Sequence, residues 1–198
     1  MNELKSFIKI STEEFLKYTE TIDEQALILA ADIINSAKRN NNRLHITGIG
    51  KPAHVANYMA SLLSSTGTPT YFLHGTEAVH GSCGQLVAGD VVICISNSGE
   101  TAELKSTVTA IKNNGCKVIA VTGNKDSWLS QNAEVTLMAG VEREGGVLNR
   151  APRASILAET HILQCLSVLL QTEVDLTPAQ YVKWHPGGTL GQIRENEK

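Results

Sequence analysis

No stretch of the sequence stays apolar for long. The longest runs, near Val91–Ile95 and Val168–Leu170, fall far short of the roughly 18 residues that span a bilayer. Met1–Ile10 alternates apolar residues with Glu and Lys and lacks the continuous apolar segment of a secretory signal. Neither export nor membrane insertion is therefore expected. An excess of basic charge is missing too: 17 Lys and Arg against 20 Asp and Glu leave a net charge of -3. Nucleic acid, which needs a concentrated basic surface, is not an expected partner. Cysteine is scarce and scattered, at positions 83, 94, 116 and 165, with no C-x-x-C pair. That pattern excludes a disulfide framework and a zinc site and suits a reducing cytoplasm. Cys94 and Cys165 lie inside apolar segments and read as buried packing residues. The six histidines show no H-E-x-x-H or similar spacing, so no metal is expected. What is present is ordinary for a globular chain: 198 residues, 42% of them hydrophobic, enough for one domain with a full core.

Along the chain, apolar residues recur every three or four positions from Phe7 to about Lys38, which predicts one long or two consecutive helices. Ser11-Thr-Glu-Glu and Thr21-Ile-Asp-Glu each resemble a helix N-terminus with acids in the first turn. Beyond the polar stretch 39–43, strand-like segments at 44–47, 70–73, 90–95, 117–122 and 134–139 alternate with helix-like ones at 55–64, 104–113 and 154–171, with a short helix near Leu129. The last long helix carries Ala154, Leu157, Ala158, His161, Ile162, Cys165 and Val168 on one face. The segments 90–95 and 117–122 are apolar on both faces, as in a parallel sheet covered by helices on either side. In such α/β folds the ligand lies beyond the carboxyl ends of the strands, so the loops that follow strands are where function resides. The expected layout is a helical arm over 1–42, the α/β domain over 43–193 and a frayed charged tail over 194–198.

The sharpest feature is Ser96-Asn97-Ser98-Gly99-Glu100-Thr101, between an apolar strand and a helix. Hydroxyls, a glycine that lets backbone approach a ligand and free helix N-terminal amides together can seat a phosphate dianion. The same residues also suit a simple helix cap and turn. A second glycine turn, Gly48-Ile49-Gly50-Lys51, follows the first strand. With Ala53 it matches the dinucleotide pattern G-x-G-x-x-A, but the next strand ends in Leu73-His74-Gly75 without the acid a ribose requires. Pro52 after Lys51 also breaks the P-loop pattern, and no cofactor is expected. Lys51 occupies the first turn of a helix, where a cation opposes the dipole; a bound anion or a carboxylate partner would explain it. Glu77 and His80, three residues apart, can share a helix face, as a structural hydrogen-bonded pair or as site residues. Glu144 lies in the Gly-rich stretch Glu142–Gly146, and His185 in the turn Trp184-His-Pro-Gly-Gly188.

Taken together, Gly48-Ile-Gly-Lys51, Ser65-Thr-Gly-Thr-Pro69, Glu77-Ala-Val-His-Gly81, Asp90-Val-Val-Ile93, Ser96-Asn-Ser-Gly-Glu100, Val121-Thr-Gly123 and His185-Pro-Gly-Gly188 resemble the sugar isomerase (SIS) domain, and within it the arabinose-5-phosphate isomerase family. The likeness runs from about Arg43 to Gln192. It implies an αβα three-layer sandwich with a five-stranded parallel sheet, assembled as a homo-dimer or homo-tetramer with sites near subunit interfaces. By motif matching it implies that Ser96, Asn97, Ser98 and Thr101 hold the phosphate of a sugar. Gly50 and Glu77 would touch the substrate, and Lys51, His80, Glu100, Glu144 and His185 would form the catalytic set. The implied activity is aldose–ketose isomerisation of arabinose 5-phosphate and ribulose 5-phosphate through a cis-enediol; the alternative is a non-catalytic sugar-phosphate-binding regulatory protein. His185 or Glu144 would serve as base, and Glu100, repelled by the phosphate, would turn toward Lys51 or a sugar hydroxyl. Two positions depart from the family pattern: Pro52-Ala53 stands where Ser-Gly is usual, and Arg153-Ala154 where Thr-Thr is usual. A member without the paired CBS regulatory modules of larger relatives is expected.

Overall fold

A computed structural model describes residues 2–197; Met1 of the expected arm and Lys198 of the expected tail lie outside the described residues. The N-terminal periodicity resolves into two helices, α1 (Asn2–Thr19) and α2 (Glu24–Arg39). Asp23 makes the break, because its carboxylate accepts from the amides of Gln25 at 2.9 Å and Ala26 at 3.1 Å and so caps α2. The Ser11 segment, expected as a helix start, is instead the middle of α1, where Ser11 Oγ donates back to the Ile8 carbonyl at 3.1 Å.

Strands and helices then alternate: β1 (Leu44–Gly48), α3 (Lys51–Ser65), β2 (Thr70–Phe72), α4 (Gly75–Ala78), β3 (Val91–Ile95), α5 (Ala102–Asn113), β4 (Lys117–Thr122), α6 (Trp128–Gln131), β5 (Val135–Met138), α7 (Ala154–Thr172) and α8 (Pro178–Trp184). The five strands form one parallel sheet in the order β2-β1-β3-β4-β5. Side chains alternate across it. Leu44, Ile46, Ile93, Ile95, Ile119 and Val121 join α1, α2, α3 and α7 in one buried cluster, while Val92, Cys94, Val118 and Ala120 join α4, α5 and α6 in the other. The result is the expected αβα sandwich. The helices of the N-terminal arm belong to its core, through Tyr18, Leu27, Ala30 and Ile34.

Two details of burial differ from the sequence reading. In α7 the buried face is Ser155, Ala158, Glu159, Ile162, Leu163 and Leu166, whereas Leu157 is 48% and Val168 61% exposed. The helix is apolar on two sides: Ala154, Ala158 and Ile162 of the expected face are buried, and the buried stripe is rotated away from Leu157 and Val168. Cys94 is buried as expected, but Cys165 is only half-buried, and all four thiols are free. The tail also differs: Glu195–Glu197 forms a 3₁₀ turn, in which the Arg194 amide donates to the Glu197 carboxylate at 2.9 Å.

Candidate active site

In a doubly wound sheet the crevice opens where the chain reverses its direction of travel across the strands. Here the chain steps from β1 outward to β2 and then returns to the other side of β1 to make β3, so the switch point lies between β1 and β3. Gly48 and Ile95 are paired at the carboxyl ends of those strands. The Gly50–Lys51 turn and the Ser96–Thr101 loop, singled out separately in the sequence, therefore face each other across that crevice.

The Ser96–Thr101 loop is rigid by construction. Gly99 has φ +67°, and a Cβ there would collide with Ser127. Buried Ser96 Oγ accepts from the Gly99 amide at 3.1 Å and meets Thr101 Oγ1 at 3.2 Å. The Asn97 carbonyl accepts from the Gly123 amide at 2.9 Å and from Thr122 Oγ1 at 3.1 Å, so the loop after β4 braces the loop after β3. Thr101 sits at the N-cap of α5 without a side-chain capping bond, which leaves the first amides of that helix for an anion. Asn97 and Ser98 are exposed at the rim.

Opposite, Gly50 takes the N-cap of α3 with φ +67° and no side chain to cap with, and Pro52 sits in the first turn. Lys51 is exposed and has no ion pair or hydrogen bond among the described residues. The carboxylate-partner explanation for its placement thus falls away, leaving a solvated surface lysine or a bound anion. Beside this turn lies a cavity of about 230 Å³ lined by Gly48, Gly50, His54, His74, Gly75 and Thr76. His74 caps the short α4: its Nδ1 accepts from the Glu77 amide at 3.4 Å, so the neutral ring carries its proton on Nε2. The sequence reading gave no site role to His54, although it lies four residues after Gly50, or to His74, which it noted only at the end of a strand.

The structure corrects three expectations about the acids and histidines. Glu77 and His80 are both exposed, and α4 ends at Ala78, too short to align them; only their backbones bond, His80 N to Glu77 O at 3.0 Å. Glu100 does not turn toward Lys51. It pairs with Lys105 and accepts from the Trp128 amide at 2.7 Å, and these bonds hold its carboxyl below the usual carboxylate range. Lys105, in the first turns of the helix that follows Glu100, wins over a cation across the crevice.

The third concerns Glu144 and His185. Glu144 lies at the carboxyl edge of the sheet, in the segment between β5 and α7. One oxygen, Oε2, accepts from the amides of Arg153 at 2.6 Å and Ser155 at 3.2 Å, so Glu144 caps α7 from nine residues upstream. Its other oxygen accepts no hydrogen bond among the described residues. His185 is elsewhere. Residue 174 packs against Gly67, between α3 and β2, at the amino end of the sheet. The chain leaves α7 there, and His185 stacks on Tyr181 at 4.0 Å, with its Nδ1 2.8 Å from the Tyr181 carbonyl. No hydrogen bond, ion pair or ring contact among the described residues joins it to Lys51, His80, Glu144 or the serine loop. Within one chain, then, Lys51, the Ser96–Thr101 loop and Glu144 follow the carboxyl ends of strands, and the contacts of His185 among the described residues are with Tyr181. Among the described residues no three His, Cys, Asp or Glu side chains cluster to hold a metal ion.

The comparisons agree with this architecture. A solved structure of an Escherichia coli CFT073 protein in complex with arabinose 5-phosphate superposes with a TM-score of 0.80 at 32% identity, covering 93% of this chain and 98% of that one. The probable arabinose 5-phosphate isomerase of Haemophilus influenzae is 45% identical over 150 residues, 76% of this chain and 44% of that protein. The arabinose 5-phosphate isomerase KdsD of Francisella tularensis is 37% identical over 192 residues, 96% and 58% respectively. The chain thus spans about half the length of the curated relatives it matches. The SIS domain model matches residues 39–168, which include the crevice between β1 and β3 and the loop carrying Glu144. By that match and by the sheet that carries it, the chain belongs to the SIS domain family.

Proposed function

We propose that this chain is an aldose–ketose isomerase that interconverts D-arabinose 5-phosphate and D-ribulose 5-phosphate. The observation that carries the reading is the uncapped N-terminus of α5, ringed by Ser96, Ser98 and Thr101 and faced by an unpaired Lys51. That seat suits a phosphate monoester, and the relatives' names supply the sugar. The phosphate, remote from the reaction, provides binding energy that fixes the carbonyl end in place.

The chemistry then needs one base and one proton relay. A base removes the proton from C2 of the aldose while O1 gains a proton, giving the cis-enediol; O2 then loses its proton and C1 receives one, giving the ketose. The uncommitted oxygen of Glu144 is one candidate base, and Lys51 is placed to offset negative charge developing on the sugar oxygens. His185, the other candidate, makes no contact with Glu144 within its own chain among the described residues. We therefore propose a homo-oligomer in which a second copy supplies His185.

The test is to incubate the purified protein with a panel of pentose and hexose phosphates in deuterated water. Deuterium entering C1 or C2 of arabinose 5-phosphate or ribulose 5-phosphate is the expected result. Tight binding with no exchange on any member of the panel would overturn the reading in favour of a sugar-phosphate sensor.

A further inference from the structure

The segment between β5 and α7, residues 139–153, contains neither helix nor strand, yet it carries Glu144. A long irregular segment in a compact domain holds its shape only through specific side-chain anchors. Asn149 supplies a local anchor, its Oδ1 accepting from the amides of Glu144 at 2.7 Å and Gly145 at 3.2 Å; the other anchors come from the opposite end of the sequence. Glu14 in α1 is 3% exposed, a place where a carboxylate is costly unless it is bonded. Its Oε2 accepts from the Glu142 amide at 2.8 Å and its Oε1 from Arg143 Nε at 2.6 Å. Its neighbours add to the grip: Glu13 meets Arg143 at 3.3 Å, Lys17 meets Glu142 at 2.5 Å, and Phe7 and Ile10 close on Gly145. Residues 142, 143 and 145 are therefore all held by α1. Residue 144 between them touches α7 instead.

We infer that Glu14 is a positioning residue for Glu144, and that α1 serves as a strap which fixes the catalytic loop to the sheet edge. This rests on the proposed isomerase reading. Docking of α1 does not account for Glu14, because Phe15 and Tyr18 already pack α1 against His161 of α7. A buried carboxylate that spends its oxygens on a backbone amide and a guanidinium of one loop fixes that loop's position through charge-assisted bonds. Glu144 is two residues from the first of these bonds and one from the second. A displacement of about 1 Å at a reacting group can cost on the order of 100-fold in rate.

The experiment compares Glu14→Ala, Glu14→Gln and Arg143→Ala with the parent protein by steady-state kinetics and by hydrogen exchange. The expected result is a kcat about 10- to 100-fold lower in Glu14→Ala, with KM within about threefold because the phosphate seat is on other loops. Exchange protection of amides 142–149 should fall in the same variant. Glu14→Gln, whose amide oxygen can still accept from Glu142, should recover part of both. Loss of kcat with an equal rise in KM, or unchanged protection of 142–149, overturns the inference. If Glu14→Ala does not fold, Arg143→Ala breaks the same contact from the exposed side and is judged by the same two readouts. If the parent shows no isomerase activity, the functional reading fails, while exchange still decides whether the strap holds the loop.

Discussion

Glu159 occupies the second turn of α7 with no exposed surface, and neither of its carboxylate oxygens has a hydrogen-bond partner. Burial, with a smaller contribution from the charge of Glu144, pushes its carboxyl up to about 8. A carboxyl raised above its unfolded value contributes fully to stability only below about pH 4.5. That contribution is lost as the pH climbs toward 8 and is level beyond it, because over this range the folded state must keep a proton that the unfolded state has released. Glu159→Gln does not titrate. Its stability relative to the parent should therefore rise by on the order of 1 kcal/mol per pH unit between pH 5 and 8 and flatten above. Melting temperatures at pH 5, 7 and 9 check this, and a difference that does not vary with pH would sink it. None of this was legible beforehand. Alone in a helix, a glutamate reads as solvated, and the same blindness hid Glu14, whose partners lie more than a hundred residues away in the chain.

Among the elements, strands were the most readable: the expected limits of all five agree with the structure to within one residue, and the two read as apolar on both faces, β3 and β4, lie side by side in the sheet. Helix starts were less so. α3 begins at Lys51, four residues before its expected start, although Pro52 marks a first turn, and α8 went unread although Thr177-Pro178 is a cap followed by an N1 proline. The cap of α7 could not have been found by spacing, since Glu144 reaches it from outside the helix. The serine loop was legible as a turn between strand and helix, and the structure divides its hydroxyls by role. Ser96 is buried and its Oγ accepts from the Gly99 amide, so it shapes the loop; Ser98 is exposed and only its Oγ bond to the Glu100 amide ties it down. Ser98→Ala should raise KM for the sugar phosphate several-fold, about 1 kcal/mol of binding, with the melting temperature unchanged. Ser96→Ala should lower the melting temperature as well. Thermal melts alongside kinetics separate the two, and identical behaviour of both variants would count against this division.

At the scale of the whole molecule, several large apolar side chains of the helical layer face outward. Leu4, Ile8 and Leu16 on α1, Ile28 and Leu29 on α2, and Leu157 and Val168 on α7 are all exposed, on the helical layer that also holds the Glu144 loop. Such residues would suit the homo-oligomer proposed above, and a closed two-fold assembly repeats each contact reciprocally. If the site takes Glu144 from one copy and His185 from another, two inactive variants should complement each other. Glu144→Gln and His185→Ala, each inactive alone, would form mixed assemblies in which one site receives both intact residues and the other neither. For random pairing of equal amounts in a two-fold assembly, half the assemblies are mixed and one site in each is whole, so about a quarter of the parental activity should return. Pairing of the two residues within one chain predicts no recovery, because every chain in the mixture then carries a defect. Co-expression of the two variants under different affinity tags, with isolation of doubly tagged assemblies, makes the measurement direct. Inactive doubly tagged material would show that the site is not shared between copies.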